Sequence, residues 1–271
     1  MSEIVYYYCS SKTFKSLLAS HSLWLTNLTE SNDQQEVSRT YDILWNKIKE
    51  HLLKSDLDPT LLNGQVELLN STLKIQQLCD IPYGCCFCEK SDLVQQWNEY
   101  ADFGDGVSIG IDLEWFGIPK QMPITSTEIL HSIGYEKVIY DLPHYSSLFA
   151  NLIYDAIKTK GPAAWCMYIL PTFKHYAGFI KNPAFEDEKE TRIVYYPDET
   201  HHPFKGLGKY VDTPKGHYPL KWSDDNSNAF VSITRGNCCM YSIEQLREML
   251  VHEGLDNTLP IIQSECSYRK R

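Results

Sequence analysis

The chain has 271 residues, 43% of them hydrophobic and 13% aromatic, so it can bury a sizeable core and is expected to form one domain over residues 1–271. A net charge of −10 argues against a broad nucleic-acid-binding face and leaves room only for a local basic cleft. No run approaches the roughly 18 apolar residues of a membrane span, and no charged-then-apolar leader opens the chain, so contact with a membrane is not expected and the expected location is cytoplasmic.

Residues 4–9, rich in β-branched and aromatic side chains, predict a first strand with Tyr6 and Tyr8 on one face. Ser10 or Ser11 then caps a helix carrying Phe14, Leu17 and Leu18 on one side. Leu23 to Thr26 reads as a second short strand. In the polar stretch after it, Asn32 or Asp33 is a helix N-cap, with Glu36 in the first turn. Residues 34–79 form a helical insertion in two pieces, divided near Asp56–Pro59. Leu44, Ile48, Leu52 and Leu53 make one apolar stripe, and Leu61, Leu62, Leu68, Leu69, Leu73 and Ile75 make the other; both read as core.

The central block runs from Tyr83 to Asp112. A strand over Tyr83–Cys88 ends beside Glu89, Ser91 is expected to cap a helix bearing Leu93, Trp97 and Tyr100, and Gly104 and Gly106 end that helix before a strand over Val107–Asp112. Polar groups collect at the joints of this layer, where loop ends can aim side chains into a cleft. Cys85 and Cys86 are adjacent in a strand and point to opposite faces, so no metal site is expected from Cys85, Cys86 and Cys88.

Downstream, 135–140 reads as a strand, and 145–158 and 162–180 read as helices, with Pro171 dividing or kinking the second. The acidic run 186–190 leads into a strand over Thr191–Tyr196. There the i, i+2 spacing puts Glu190 and Arg192 on one face, and a carboxylate beside a guanidinium stays ionised and fixed in orientation. His201, His202 and His217 fall in a Gly/Pro-rich loop and read as surface residues. A strand over 228–235, a helix over 243–252 capped by Ser242, and a last strand over Leu259–Gln263 complete an α+β chain built on a single mixed sheet. P-loop, nucleophile-elbow and zincin motifs are missing, which removes the commonest NTPase, hydrolase and zinc-protease readings.

Six blocks taken in order, Y-Y-Y-C-S-S at 6–11, L-W-L-T-N…S-N-D-x-x-E at 23–36, C-F-C-E at 86–89, Q-W-N-E-Y-A-D-x-G-x-G-V-S-I-G-I-D at 96–112, F-E-D-E-K-E-T-R at 185–192 and S-x-x-x-Y-R at 264–269, resemble a bacterial family of unknown function that includes AbiG-type abortive-phage-infection proteins. The order of polar elements also resembles a divergent ADP-ribosyltransferase core, although the first strand carries no His or Arg. That resemblance implies NAD as a substrate and Glu190 as the carboxylate that stabilises an oxocarbenium-like transition state. Asn32, Asp33 and Glu89 would join Glu190 in one cleft. Tyr6, Tyr8, Thr26, Trp97, Tyr100, Arg192 and Arg269 would hold the dinucleotide, the aromatics by stacking and the arginines at the pyrophosphate. It further implies a toxin or effector acting on a nucleic acid or protein target, with an antitoxin or chaperone as a partner. Two other classes fit the same residues: a non-catalytic interaction module stitched together by Asn32, Asp33, Glu89, Trp97 and Arg192, and a nuclease holding a divalent ion on Asp33, Glu36, Glu89 and Glu190.

Overall fold

Alternating apolar residues and well-placed caps set the first elements. In the computed structural model, which describes residues 3–31, 36–79, 81–120, 132–160, 176–197 and 206–267, strand β1 spans Ile4–Ser10 and runs directly into helix α1, Ser11–Ser20. Ser10 is the cap, its hydroxyl accepting the Thr13 N–H. Strand β2 covers Ser22–Asn27. Helices α2, Glu36–Leu53, and α3, Pro59–Cys79, form the expected two-piece helical insertion. Leu44, Ile48, Leu52, Leu62 and Leu73 are buried, whereas Leu53 and Leu68 face outward. Asn32 and Asp33, the proposed caps of α2, lie outside the described residues, as do Pro171, His201, His202 and Arg269.

The central block contains β3, Tyr83–Cys88, α4, Val94–Tyr100, and β4, Gly106–Asp112. The capping expectation there needs correction. Leu93, not Ser91, is the N-cap of α4 and offers no side-chain cap; its N–H is taken by the Tyr8 hydroxyl at 3.0 Å, a long-range substitute no local pattern reveals. Gly106 answers a close approach of β1 and β4, since a Cβ there would lie 2.0 Å from the Cys9 carbonyl oxygen.

Strand β5 spans Ile133–Lys137, helix α5 Leu142–Lys160 and strand β6 Glu190–Tyr195. A 3-10 segment over Pro183–Glu188 leads into β6. Strand β7, His217–Lys221, replaces the expected loop around His217, which is buried opposite Thr26 of β2. Strand β8 is Phe230–Arg235, helix α6 is Ile243–His252 with a Ser242–Gln245 capping box, and β9 is Ile261–Gln263.

The strands make one sheet in the order β5-β6-β3-β1-β4-β8-β9, with β2 joined to β3 and β7 joined to β2. Every ladder is antiparallel except β8 with β9. Because strand side chains alternate, one face carries Val5, Cys9, Cys85, Phe87, Ile109 and Ile193, covered by Phe14, Leu17 and Leu18 of α1 and by Leu246 and Leu250 of α6. On the other face, α2 and α5 close over Val194 and Tyr196, while Tyr8, Cys88, Trp97 and Ala101 form a smaller cluster. No helix among the described residues is long and apolar enough to cross a membrane.

Candidate functional site

Strand β3 is paired with β6 along its whole length, Tyr83 opposite Tyr195 through Cys88 opposite Glu190. Its other edge is shared. Cys88 faces Tyr6 of β1, whereas Tyr83 and Gly84 face Asn27 and Thr26 of β2. Between these contacts β1 and β2 part, and Cys85 to Phe87 line the gap. The fork opens into a cavity of about 550 Å³, within the usual range for small-molecule sites.

The alternation of β6 turns Glu190 and Arg192 toward this cavity, as their spacing predicts. Arg192 donates from Nε to Glu190 Oε1, from Nη2 to Glu190 Oε2 at 3.1 Å, and from Nη1 to the Gly178 carbonyl at 3.0 Å. Lys181 Nζ donates to Glu190 Oε2 at 2.9 Å and to Glu188 Oε2. Two acids and two bases are thus buried together, each nine-tenths or more hidden from water. Four charges survive in such a place because each is paired and hydrogen-bonded.

The two acids are held in different electrostatic states. Burial pushes the Glu190 carboxyl upward, but the Arg192 charge and hydrogen bonds, with Lys181 and the Cys86 thiol, outweigh it and bring the pKa down to about 2. Glu190 is therefore ionised at neutral pH. For Glu188, burial dominates over the Lys181 contact and holds its carboxyl above the usual range. Tyr140, whose hydroxyl accepts the Glu190 N–H at 3.3 Å, is pushed up to about 12 by burial.

Of the residues singled out from sequence, Tyr8, Thr26, Tyr100, Glu190 and Arg192 line the cavity. Tyr8 does so as a brace. Its hydroxyl donates to the Lys90 carbonyl at 2.7 Å and its ring meets Trp97 edge-on at 5.0 Å, which fixes the start of α4. Trp97 is fully buried behind it, with its indole N–H on Asp92, so it cannot stack on a ligand in the cavity. Tyr6 is packed on the same small cluster and is not part of the lining. Glu89 departs from the expected convergence: it pairs with Lys137 at the strand ends, and strand alternation carries Lys137 on the face opposite Arg192. Asn32, Asp33 and Arg269 fall outside the described residues, although Glu30 and Ser31, just before Asn32, line the cavity.

Sequence reasoning missed Trp24, Cys86, Lys181, Glu188 and Lys215. Trp24 carried a usable signal, standing two residues before Thr26 on the same strand. Lys181 and Lys215 carried none, because chain reversals bring them in. Among the described residues, no group of three or more His, Cys, Asp or Glu side chains is arranged to hold a metal ion.

Residues 96–193 match a family described as "Protein of unknown function (DUF2971)". The match runs from α4 to β6 and so takes in Tyr100, Lys181, Glu188, Glu190 and Arg192; a family of unknown function is what the sequence blocks resemble. No curated protein and no solved structure matches the chain.

Proposed function

We propose that the fork cavity binds NAD as a substrate, and that the protein is an ADP-ribosyltransferase acting as an effector in anti-phage defence, as the AbiG-type resemblance implies, on a nucleic acid or protein target. One observation carries this reading: a buried carboxylate held ionised at neutral pH, Glu190, lines a cavity of about 550 Å³ that also presents the aromatic rings of Trp24 and Tyr100.

The chemistry asks for such a group. When the nicotinamide–ribose bond breaks, its electron pair leaves with nicotinamide, and positive charge develops on the ribose ring. A nucleophile of the target then attacks C1′ and gives up its proton. A fixed carboxylate beside the ribose lowers the energy of the positively charged state, most effectively where water is excluded. In this scheme Arg192 and Lys181 orient Glu190 and keep it from taking a proton. Arg192 is spent on Glu190 and the Gly178 carbonyl, so Lys215 of the cavity wall is the cation assigned to the diphosphate.

A second reading is favoured by one detail of the same cluster. Both Glu190 oxygens already accept from Arg192 or Lys181, which suits an interaction module in which the ion cluster ties β6 to residues 178–188 and does no chemistry. The divalent-ion alternative is left without Glu89, which stands outside the cavity.

The two readings separate on incubating the purified chain with NAD and a bacterial lysate. The transferase reading expects release of nicotinamide and transfer of labelled ADP-ribose, both falling about a hundredfold or more per folded molecule in Glu190→Gln. Absence of nicotinamide release from the wild type leaves the interaction module.

A further inference from the structure

Trp24 and Thr26 of β2, with Lys215 and Gly216 just before β7, line part of the cavity. Trp24 is a large apolar residue left 47% exposed on a strand whose neighbours Leu23 and Leu25 are fully buried on the other face. A single exposed aromatic is ordinary on a protein surface. This one lines the cavity. One face of its indole is covered by the His217 ring, with centroids 4.1 Å apart and planes 20° from parallel. The indole is in ring contact with no other side chain among the described residues.

His217 is held firmly for a residue next to a loop. Its backbone N–H and carbonyl both bond to Val211, it faces Thr26 in the ladder, and its side chain is buried. Burial holds its pKa below the usual histidine value, so the imidazole is neutral at pH 7 and stacks without adding a cation. Its Nδ1 has no hydrogen-bond partner among the described residues. A Cβ at the preceding Gly216 would lie 1.7 Å from the Tyr210 hydroxyl, so a larger residue there must displace that ring. Lys215 and Gly216, just before His217, line the cavity.

We propose that Trp24, braced from behind by His217, is the stacking platform for a planar nitrogen-containing ring of the molecule bound in the fork. The proposal rests on the reading of the cavity as a nucleotide site. It replaces Tyr8 and Trp97 as stacking residues, since both are committed to bracing α4. Trp24 and Glu190 line the same cavity from strands on opposite sides of β3, an arrangement that lets one bound molecule meet both.

The test uses the full chain, with NAD, nicotinamide mononucleotide and AMP as separate probes. Cys86 provides a reporter, being exposed in the same cavity, whereas Cys85 beside it is buried. Each probe is titrated while alkylation of Cys86 is followed by peptide mass spectrometry, and nicotinamide release is measured on the NAD samples. Protection of Cys86 by NAD is expected to weaken about 5- to 100-fold in Trp24→Ala, as for loss of one base stack, and to be largely kept in Trp24→Phe. Protection by the mononucleotide assigns the platform to the pyridinium ring, and protection by AMP assigns it to adenine. Equal protection in Trp24→Ala and wild type, or no protection by any of the three, overturns the platform. Unchanged NAD cleavage and KM in Trp24→Ala also overturns it while leaving the transferase reading standing. Conversely, Trp24-dependent binding with no nicotinamide release overturns the transferase reading and keeps the platform.

Discussion

Replacing Glu190 by Gln removes one negative charge from a buried cluster and leaves its shape nearly intact. The wild-type cluster balances Glu188 and Glu190 against Lys181 and Arg192; the variant keeps both cations and only one acid. Two routes give the cost. A carboxyl held at about 2 against an ordinary 4.5 reflects roughly 3 kcal/mol of preferential stabilisation of the charged form. Removing one partner from a buried ion pair costs about 3–5 kcal/mol. At about 2–4 °C per kcal/mol for a large domain, the melting temperature should fall by roughly 10 °C. The sign with pH follows. Glu190 titrates below its unfolded value, so its contribution is complete above about pH 4.5 and is lost as pH falls toward 2. Glu188 is shifted the other way, and its contribution declines as pH rises above 4.5. Thermal melts of wild type, Glu190→Gln and the double variant Glu190→Gln/Arg192→Met test this. The double variant restores charge balance while Lys181 stays paired with Glu188, and should recover part of the lost stability; under the transferase reading it stays inactive. A single variant melting within about 2 °C of wild type would refute the electrostatic account.

Tyr8→Phe deletes the donor to the Lys90 carbonyl and the acceptor for the Leu93 N–H, and should cost about 1–3 kcal/mol, with faster amide exchange at the start of α4. Asp92→Ala strands the Trp97 indole N–H, the Ser264 hydroxyl and the Glu265 N–H; a loss of about 2 kcal/mol and faster proteolysis near 264–267 are expected. Gly106→Ala forces a Cβ against the Cys9 carbonyl and should prevent accumulation of folded protein, judged by soluble yield and circular dichroism. Gly64→Ala, in the interior of α3 with nothing within 4 Å of the added Cβ, should instead stabilise by about 1 kcal/mol, read as a higher denaturant midpoint.

Most elements could be read from the chain because their causes are local. The β-branched and aromatic run at 4–9, the Ser10 and Ser242 caps and the two-piece insertion broken near Pro59 each depend on neighbours within a few residues. The pairing of Glu190 with Arg192 was equally legible, since strand alternation alone puts residues i and i+2 on one face. The cap of α4 was not legible: its partner, the Tyr8 hydroxyl, comes from a strand more than eighty residues away. Nor was the burial of Glu188 within the acidic run at 186–190. Lys181 folds back onto Glu188 and Glu190, and burial with a paired cation keeps both out of water. Glu89 and Glu190 look like partners in the sequence because each stands at a strand end. The register of β3, β6 and β5 sends one toward Lys137 and the other into the fork. The site itself belongs wholly to tertiary structure. Sequence determines which face each side chain of a strand takes, but the divergence of β1 and β2 from the shared edge of β3 depends on pairings between distant segments, and that divergence opens the cavity and brings Trp24, Tyr100, Glu190 and Lys215 to its walls.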